Sequence, residues 1–193
     1  MLPIRNGEVS FWHRELGGPP VQRPALPGDR EADIAIIGAG YTGLWSAYYL
    51  KRADPSLRIV VLEREFAGFG ASGRNGGWLS GVFGWSRERY AADHGRDAVM
   101  RLQRAMWDTV GEVIAVAERE GIDADIMRGG ALRYAANPAE LARLHDNIVY
   151  ERSWGIGGND LAVLSAAEVR SAIDLPRALG GDWSPHAARI QPA

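Results

Sequence analysis

Two uninterrupted apolar runs flank a helical stretch near the start of the chain. The run Ile34–Ile37 predicts a strand covered on both faces, as in a parallel sheet wrapped by helices, and it stops at Gly38. Residues 44–50 are mostly apolar and predict a helix, while residues 58–62 predict a second strand that ends at Glu63. Strand, turn, helix and strand in this order predict a Rossmann-like βαβ unit of the α/β class.

The apolar spacing changes to intervals of three and four in residues 97–120, which predicts a long amphipathic helix ended by Gly121. Residues 125–128 and 131–135 then flank the pair Gly129-Gly130. Such a pair between two short apolar runs predicts a hairpin of antiparallel strands. The second half of the chain is therefore predicted to be α+β.

Polar residues mark two further helix starts. Asn137 and Glu140 stand three positions apart before an apolar-periodic stretch, and Ser165 and Glu168 repeat that spacing as a capping box. Each pair predicts a helix that begins just after its first residue. Residues 174–193 show no clear period and are predicted to be loop-like.

The turn after the first strand carries the first candidate chemistry. Gly38, Gly40 and Gly43 form a G-x-G-x-x-G pattern, in which the glycines allow a tight turn, close approach of a pyrophosphate and close helix packing. Free amides at the helix start would bind that anion. Glu63, 25 positions after Gly38, is placed to accept hydrogen bonds from a ribose diol. The unit predicts an adenine dinucleotide site.

The glycine pattern alone is not specific. Gly68, Gly70 and Gly73 have the same spacing, but no strand precedes them and the residues that follow do not predict a helix start. The strand before Gly38 and the helix after Gly43 therefore favour the first turn, and not the second, as the dinucleotide-binding turn. Glu63 suits the ribose of a nicotinamide cofactor equally well, so the βαβ unit alone does not distinguish NAD from FAD.

A second glycine-rich stretch covers residues 66–78 and includes GASGRNGG. Its backbone can present amides to an anion or a flat ring, and Ser72, Arg74 and Asn75 add side-chain donors. Phe69 and Trp78 bracket the donors. We interpret this stretch as a functional loop.

Composition narrows the class of protein. The 193 residues are 46% hydrophobic with a formal net charge of −2, and the basic residues are spread along the chain, so neither a nucleic acid nor a membrane surface is an expected partner. There is no cysteine, and the four histidines have no ligand spacing, so no metal site is expected. No apolar run approaches membrane-spanning length, and we expect a cytoplasmic protein.

Several segments together resemble a known family. DIAIIGAGYTGLWSAYYL with VVLE, then GASGRNGG, GGALRYA, LSAAEVR and ARIQPA resemble the D-amino-acid oxidase-like (DAO) family of FAD-dependent oxidoreductases. The likeness is strongest to bacterial members of the gamma-glutamylputrescine oxidase type. It implies a flavoprotein that oxidises the C–N bond of a small amine or amino acid by hydride transfer to the flavin.

The resemblance also implies the cofactor contacts. The loop holds no histidine or cysteine that could attach a flavin, so it implies non-covalent FAD, and no catalytic residue can be assigned. By position, the implied FAD-binding residues are Gly38, Gly40, Tyr41, Thr42, Gly43, Glu63, Arg64, Gly70, Ala71, Ser72, Arg74, Asn75, Gly76 and Gly77.

The resemblance divides the chain into four parts. Residues 1–30 form a proline-rich arm anchored by Phe11 and Trp12, residues 31–93 the N-terminal half of an FAD-binding domain, residues 94–122 the long helix, and residues 123–193 the start of a substrate domain. Two parallel strands are too few for a doubly wound sheet. We therefore expect an apparently truncated chain, inactive or very weakly active alone, whose missing C-terminal portion is its partner.

Two alternatives stay open from the residues. One is an NAD-dependent dehydrogenase, which the GASGRNGG loop disfavours. The other is a non-catalytic nucleotide-binding or assembly module that docks on a protein supplying the missing strands.

Overall fold

The computed structural model describes residues 9–193. Its contacts divide the chain into two compact units, one running to Gly77 and including Gln191–Ala193, the other spanning Trp78–Ile190. We call these unit 1 and unit 2 and describe each by itself. The assignment of FAD-binding and substrate roles to the parts of the chain stays a prediction.

Unit 1 contains the predicted βαβ unit. Strand β1 (Ile34–Ile37) and strand β2 (Ile59–Leu62) pair in parallel, and helix α2 (Tyr41–Ala53) connects them. A short helix α1 (Phe11–Glu15) precedes them in the chain. Just before β1, the Asp33 carboxylate accepts three hydrogen bonds from Arg58, which lower the pKa of Asp33 to about 2. The order strand, helix, parallel strand is confirmed.

The prediction that β1 is covered on both faces is wrong for the described chain. Its residues alternate, with Ile34 and Ile36 half-buried and Ala35 and Ile37 exposed, and Ile37 is 91% accessible. Helix α2 packs on the Ile36 face. The face of β1 that carries Ala35 and Ile37 is therefore accessible to solvent.

Unit 2 contains the remaining helices and strands. In chain order they are β3 (Trp78–Ser80), α3 (Arg87–His94), α4 (Arg96–Glu120), β4 (Ala131–Ala135), α5 (Pro138–Ser153), β5 (Ala162–Ser165), α6 (Ala166–Ala172), β6 (Gly180–Ser184) and β7 (Ala187–Arg189). Strands β4, β6 and β5 form an antiparallel three-stranded sheet with β6 in the centre, and β3 pairs antiparallel with β7.

The core of unit 2 is built on the long predicted helix. Along α4, Val99, Val110 and Ala117 are buried at helical spacing. Gly121 ends the helix in the left-handed conformation with a φ of 67°. The predicted caps are also confirmed, since the side chains of Asn137 and Ser165 accept hydrogen bonds from backbone amides at the starts of α5 and α6.

The predicted hairpin around Gly129-Gly130 is wrong. Residues 125–128 form no strand, and Met127 makes only an isolated bridge with Arg189. The partner of β4 is β6, with Ala131 opposite Ser184 and Ala135 opposite Gly180. Gly130 donates its amide to Ala187 at 3.1 Å, so this segment follows β7 instead of folding back on β4.

The prediction that residues 174–193 are loop-like is also wrong, because they hold β6 and β7. The sequence of β6, GGDWS, is poor in β-formers and contains a buried aspartate. Its strand conformation comes from pairing with β4 and β5 on both edges. Within the described chain, no helix combines the length and apolar content needed to cross a membrane.

Candidate cofactor site

The turn between β1 and α2 has the geometry that its glycines predict. Gly38 has a φ of +99°, and its amide donates to the Leu62 carbonyl at 2.7 Å. A Cβ built at Gly43 would lie 2.1 Å from the Gly38 carbonyl oxygen and 3.2 Å from Ile36 Cγ2. Only glycine at position 43 allows α2 to begin this close to β1.

The start of α2 offers unpaired backbone donors. The Tyr41 amide donates to Ser72 Oγ at 2.9 Å. Among residues 9–193, the Gly40 and Thr42 amides donate no hydrogen bond. These donors, together with the positive end of the helix dipole, form a donor set that fits the pyrophosphate of FAD.

The carboxylate of Glu63 lies beside the same turn. Its Oε2 accepts from the Ala39 amide at 2.9 Å, and its Oε1 accepts from the Glu65 amide at 3.0 Å. These hydrogen bonds, led by the one from Ala39, hold the pKa of Glu63 below its ordinary value. The group is therefore ionised at neutral pH, with lone pairs left for a ribose diol. Its neighbour Arg64 instead pairs with Glu65 at 3.3 Å.

The second glycine-rich stretch is ordered by its own side chains. Ser72 lies in a short 3₁₀ turn, Ala71–Gly73, and Asn75 Nδ2 donates to the Ser72 carbonyl at 2.6 Å and to Tyr41 Oη at 3.3 Å. Asn75 Oδ1 accepts from the buried Gly77 amide at 2.8 Å. Ser72, Asn75 and Tyr41 are thus brought together at the start of α2.

Other predicted residues of this stretch lie apart from that cluster. Arg74 Nε donates to the Phe69 carbonyl at 2.7 Å, and its guanidinium covers the Phe69 ring at 4.5 Å. Gly70 and Gly76 are exposed. The side chain of Arg74 therefore stabilises the loop, and its role toward FAD stays a prediction.

The second G-x-G-x-x-G pattern repeats the geometry of the first. Gly68 has a φ of +81°, its carbonyl accepts from the Gly73 amide at 3.0 Å, and a Cβ at Gly73 would lie 2.3 Å from that oxygen. The Gly68 amide donates to the Ala39 carbonyl at 2.9 Å, which joins the two turns. The spacing at 68–73 is therefore a structural requirement, although no strand precedes it.

The N-terminal arm supports this loop in a way that sequence reasoning missed. Trp12 Nε1 donates to the Asn75 carbonyl at 2.7 Å, and Gln191 Nε2 donates to the Trp12 carbonyl at 3.0 Å. His13 is 2% exposed and packs edge-on against Phe66. The expected anchoring by Phe11 is wrong, since that ring is 59% exposed. The sequence signal for this contact was the triplet Phe11-Trp12-His13, but the loop that Trp12 contacts lies some 60 residues further along the chain.

Acidification is expected to release the arm from this loop. Burial, and secondarily the Arg74 guanidinium, lower the pKa of His13 below 6.5. The docked arm thus binds fewer protons than the free arm, so docking is fully favoured above pH 6.5 and weakens as pH falls from there toward the lowered pKa. The groups facing His13 are Ser10 Oγ, at 2.7 Å from Nδ1, the Phe66 ring and Arg74.

An NMR titration of the His13 ring and of the arm amides from about pH 8 to about pH 5 measures this effect. A His13→Gln variant should lose the dependence. Arm amides that keep their shifts across the whole range would contradict the expectation.

Comparison with known proteins decides the family. The family described as FAD dependent oxidoreductase (DAO) matches residues 33–193, which include both glycine turns and Glu63. The chain belongs to this DAO family. FAD is accordingly the cofactor of the family, and the predicted resemblance is confirmed.

Relatives of this DAO chain are longer than it is. Gamma-glutamylputrescine oxidoreductase of Escherichia coli is 35% identical over 162 residues, which cover 83% of this chain and 36% of that protein. Glycine oxidase of Bacillus cereus has a TM-score of 0.59 at 21% identity, covering 84% of this chain and 40% of its own. FAD-bound L-alpha-glycerophosphate oxidase of Mycoplasma pneumoniae has a TM-score of 0.59 at 18% identity, covering 83% and 39%. The DAO chain thus spans under half the length of each.

Proposed function

We propose that this chain anchors non-covalent FAD in an oxidoreductase that oxidises the C–N bond of a small amine or amino acid. The observation that carries the proposal is the ionised Glu63 carboxylate beside the glycine turn, within a segment that matches an FAD-dependent family. The name of the E. coli relative supports an amine as substrate. Family membership in turn disfavours the NAD-dependent alternative.

The residues of unit 1 have separate tasks in this proposal. The amides of Gly40 and Thr42 bind the pyrophosphate, and Glu63 orients the adenosine ribose. Ser72 and Asn75 hold the second loop against the start of α2 through hydrogen bonds with Tyr41. When bound, FAD accepts the two electrons released by C–N oxidation.

Two finer points belong to the same proposal. Catalytic competence requires the parts of the longer relatives that this chain does not span, so the 193 residues alone should oxidise amines weakly or not at all. The location is cytoplasmic, in keeping with a chain that has no cysteine and thus no disulfide.

Substituting Glu63 by alanine tests the site. Removing the carboxylate deletes the ribose acceptor and frees the Ala39 amide, so FAD affinity should fall about tenfold or more, the scale of a hydrogen bond to a charged group. Flavin fluorescence titration of the purified chain measures it. Glu31→Ala, an exposed acid of the irregular segment before β1, is the matched control and should bind FAD like the wild type. Equal affinity in both variants would refute the ribose assignment.

A further inference from the structure

The peptide group that joins Asn75 to Gly76 has a nucleophile and an electrophile side by side. Both residues are exposed, and Gly76 has no side chain that could shield its amide. Within the described chain the Gly76 amide donates no hydrogen bond. Its nitrogen is therefore free to attack Cγ of Asn75, a step that closes a ring within one residue and its neighbour.

The side-chain carbonyl of Asn75 is oriented and polarised for this attack. Its Oδ1 accepts from the Gly77 amide at 2.8 Å, so the side chain turns back along its own backbone. When a nitrogen adds to Cγ, negative charge develops on Oδ1. The Gly77 amide, which lies on a buried residue, then acts as the donor that stabilises this charge, as in an oxyanion hole.

The indole of Trp12 supports the attacking nitrogen. An amide nitrogen becomes a strong nucleophile when it loses its proton, and resonance then shares the negative charge with the carbonyl oxygen of the same peptide group. For Gly76 that oxygen is the Asn75 carbonyl, which accepts from Trp12 Nε1 at 2.7 Å. The hydrogen bond stabilises the deprotonated form, so the Gly76 amide loses its proton more easily.

The nitrogen that would leave is surrounded by acceptors. Asn75 Nδ2 donates to the Ser72 carbonyl at 2.6 Å and to Tyr41 Oη at 3.3 Å. Tyr41 Oη donates its own proton to the Pro192 carbonyl at 3.0 Å and is therefore placed to accept. These two oxygens stabilise the positive charge that the departing nitrogen gains when it is protonated. Each atom whose charge changes in the reaction thus has a partner of matching polarity.

We propose that Asn75 is a modification site at which the folded chain promotes its own deamidation. The Gly76 nitrogen bonds to Cγ of Asn75, its proton passes to water, and the bond from Cγ to Nδ2 breaks with release of ammonia. Water then opens the cyclic imide at either of its two carbonyls and leaves aspartate or isoaspartate at position 75. Water is the only co-reactant, and no electrons are transferred.

The modified loop loses contacts that hold it at the start of α2. A carboxylate at position 75 has no N–H, so the hydrogen bond to the Ser72 carbonyl is lost and two oxygens come to face each other. A negative charge also appears near the amides assigned to the FAD pyrophosphate. This consequence rests on the proposed function, and the modified chain should bind FAD about tenfold more weakly or worse.

The rate of modification in the folded chain tests whether the structure promotes it. The purified 193-residue protein is incubated at mildly alkaline pH, where the arm is expected to be docked, and peptide mapping by mass spectrometry measures the loss of the Asn75 amide. A peptide of residues 70–80 with the same sequence is the reference. Asn75 should react about tenfold faster in the protein than in the peptide, the lower range for one oxyanion donor. An equal or slower rate in the protein would overturn the proposal.

A tryptophan substitution tests the part played by the arm. Trp12→Phe keeps an aromatic ring but removes the indole donor, so Asn75 should react about fivefold more slowly or less, the scale of one hydrogen bond. Trp85→Phe, at an exposed tryptophan of unit 2, is the matched control and should react like the wild type. Thermal melting identifies a variant that fails to fold, and the comparison of wild-type protein with peptide then decides. Equal rates in the two folded variants would refute the role of Trp12.

The effect on the cofactor is measured separately from the modification. Anion exchange separates modified from unmodified chains, and fluorescence titration gives the FAD affinity of each. Weaker binding by the modified chain alone supports the stated consequence, and equal binding refutes it. Deamidation is detected by mass without FAD, so a wild-type chain that deamidates but binds no FAD before modification refutes the proposed function and leaves the modification site standing.

Discussion

Replacing Gly43 by alanine is expected to abolish FAD retention. The added methyl carbon would lie 2.1 Å from the Gly38 carbonyl oxygen, which is backbone and cannot turn away. Relief requires α2 to move off β1, and this separates the Gly40 and Thr42 amides from Glu63. Overpacking of this kind costs about 3 kcal/mol, and converted to binding that is roughly a hundredfold loss of affinity.

Flavin content after gel filtration and fluorescence titration of the apoprotein measure the effect of Gly43→Ala. The control is Gly111→Ala, because a Cβ at Gly111 in α4 meets nothing within 4 Å. That variant should bind FAD normally and gain about 0.5–1 kcal/mol in stability, the helix preference of alanine over glycine. Wild-type flavin affinity in Gly43→Ala would show that the turn is not the pyrophosphate site.

The second large effect is expected at Gly181, in the central strand of the unit 2 sheet. A Cβ there would lie 2.5 Å from the Arg133 carbonyl oxygen and 2.7 Å from Val169 Cγ2. Alanine must push α6 away or break the pairing with β4, at about 3 kcal/mol of unfolding free energy. Urea denaturation followed by tryptophan fluorescence, as Trp183 lies on the same strand, measures the loss.

The neighbouring Gly180→Ala is the matched control for Gly181→Ala. Its Cβ would lie 3.3 Å from Leu141 Cδ1, the movable end of a flexible side chain. We expect a loss of less than about 1 kcal/mol there, because small displacements of a side chain relieve the contact. Similar denaturation midpoints for the two variants would mean that α6 does not constrain the strand.

The parts of the fold that follow local rules could be predicted from the sequence. The βαβ unit around Gly38 and the helix ended by Gly121 depend on apolar period and on glycine conformations, which neighbouring residues determine. The caps at Asn137 and Ser165 are likewise local. At Gly121 and at the two caps the hydrogen bonds join residues a few positions apart, whereas the pairing of β1 with β2 spans about 25 positions.

The sheet of unit 2 could not be predicted in this way. Strand β6 lies more than 40 residues from its partner β4, and its Gly181 is required by the close approach of α6 and the neighbouring strand. Glycine in a strand reads as a turn when the sequence is considered alone. The same ambiguity made Gly129-Gly130 look like the tip of a hairpin.

The candidate site likewise contains residues that the sequence could place and residues that it could not. Glu63 could be placed beside the glycine turn because the βαβ geometry brings the end of β2 there. The contact of Trp12 with the Asn75 carbonyl spans 63 positions, and no period or spacing indicates it.

The hydrogen bond from the Gly68 amide to the Ala39 carbonyl has an energetic consequence. Because this hydrogen bond joins the predicted coenzyme-binding turn to the loop that Trp12 contacts, we expect FAD binding and docking of the N-terminal arm to be coupled. Thermodynamic linkage then requires that docking of the N-terminal arm raises the affinity for FAD by the same factor by which bound FAD favours docking of the arm.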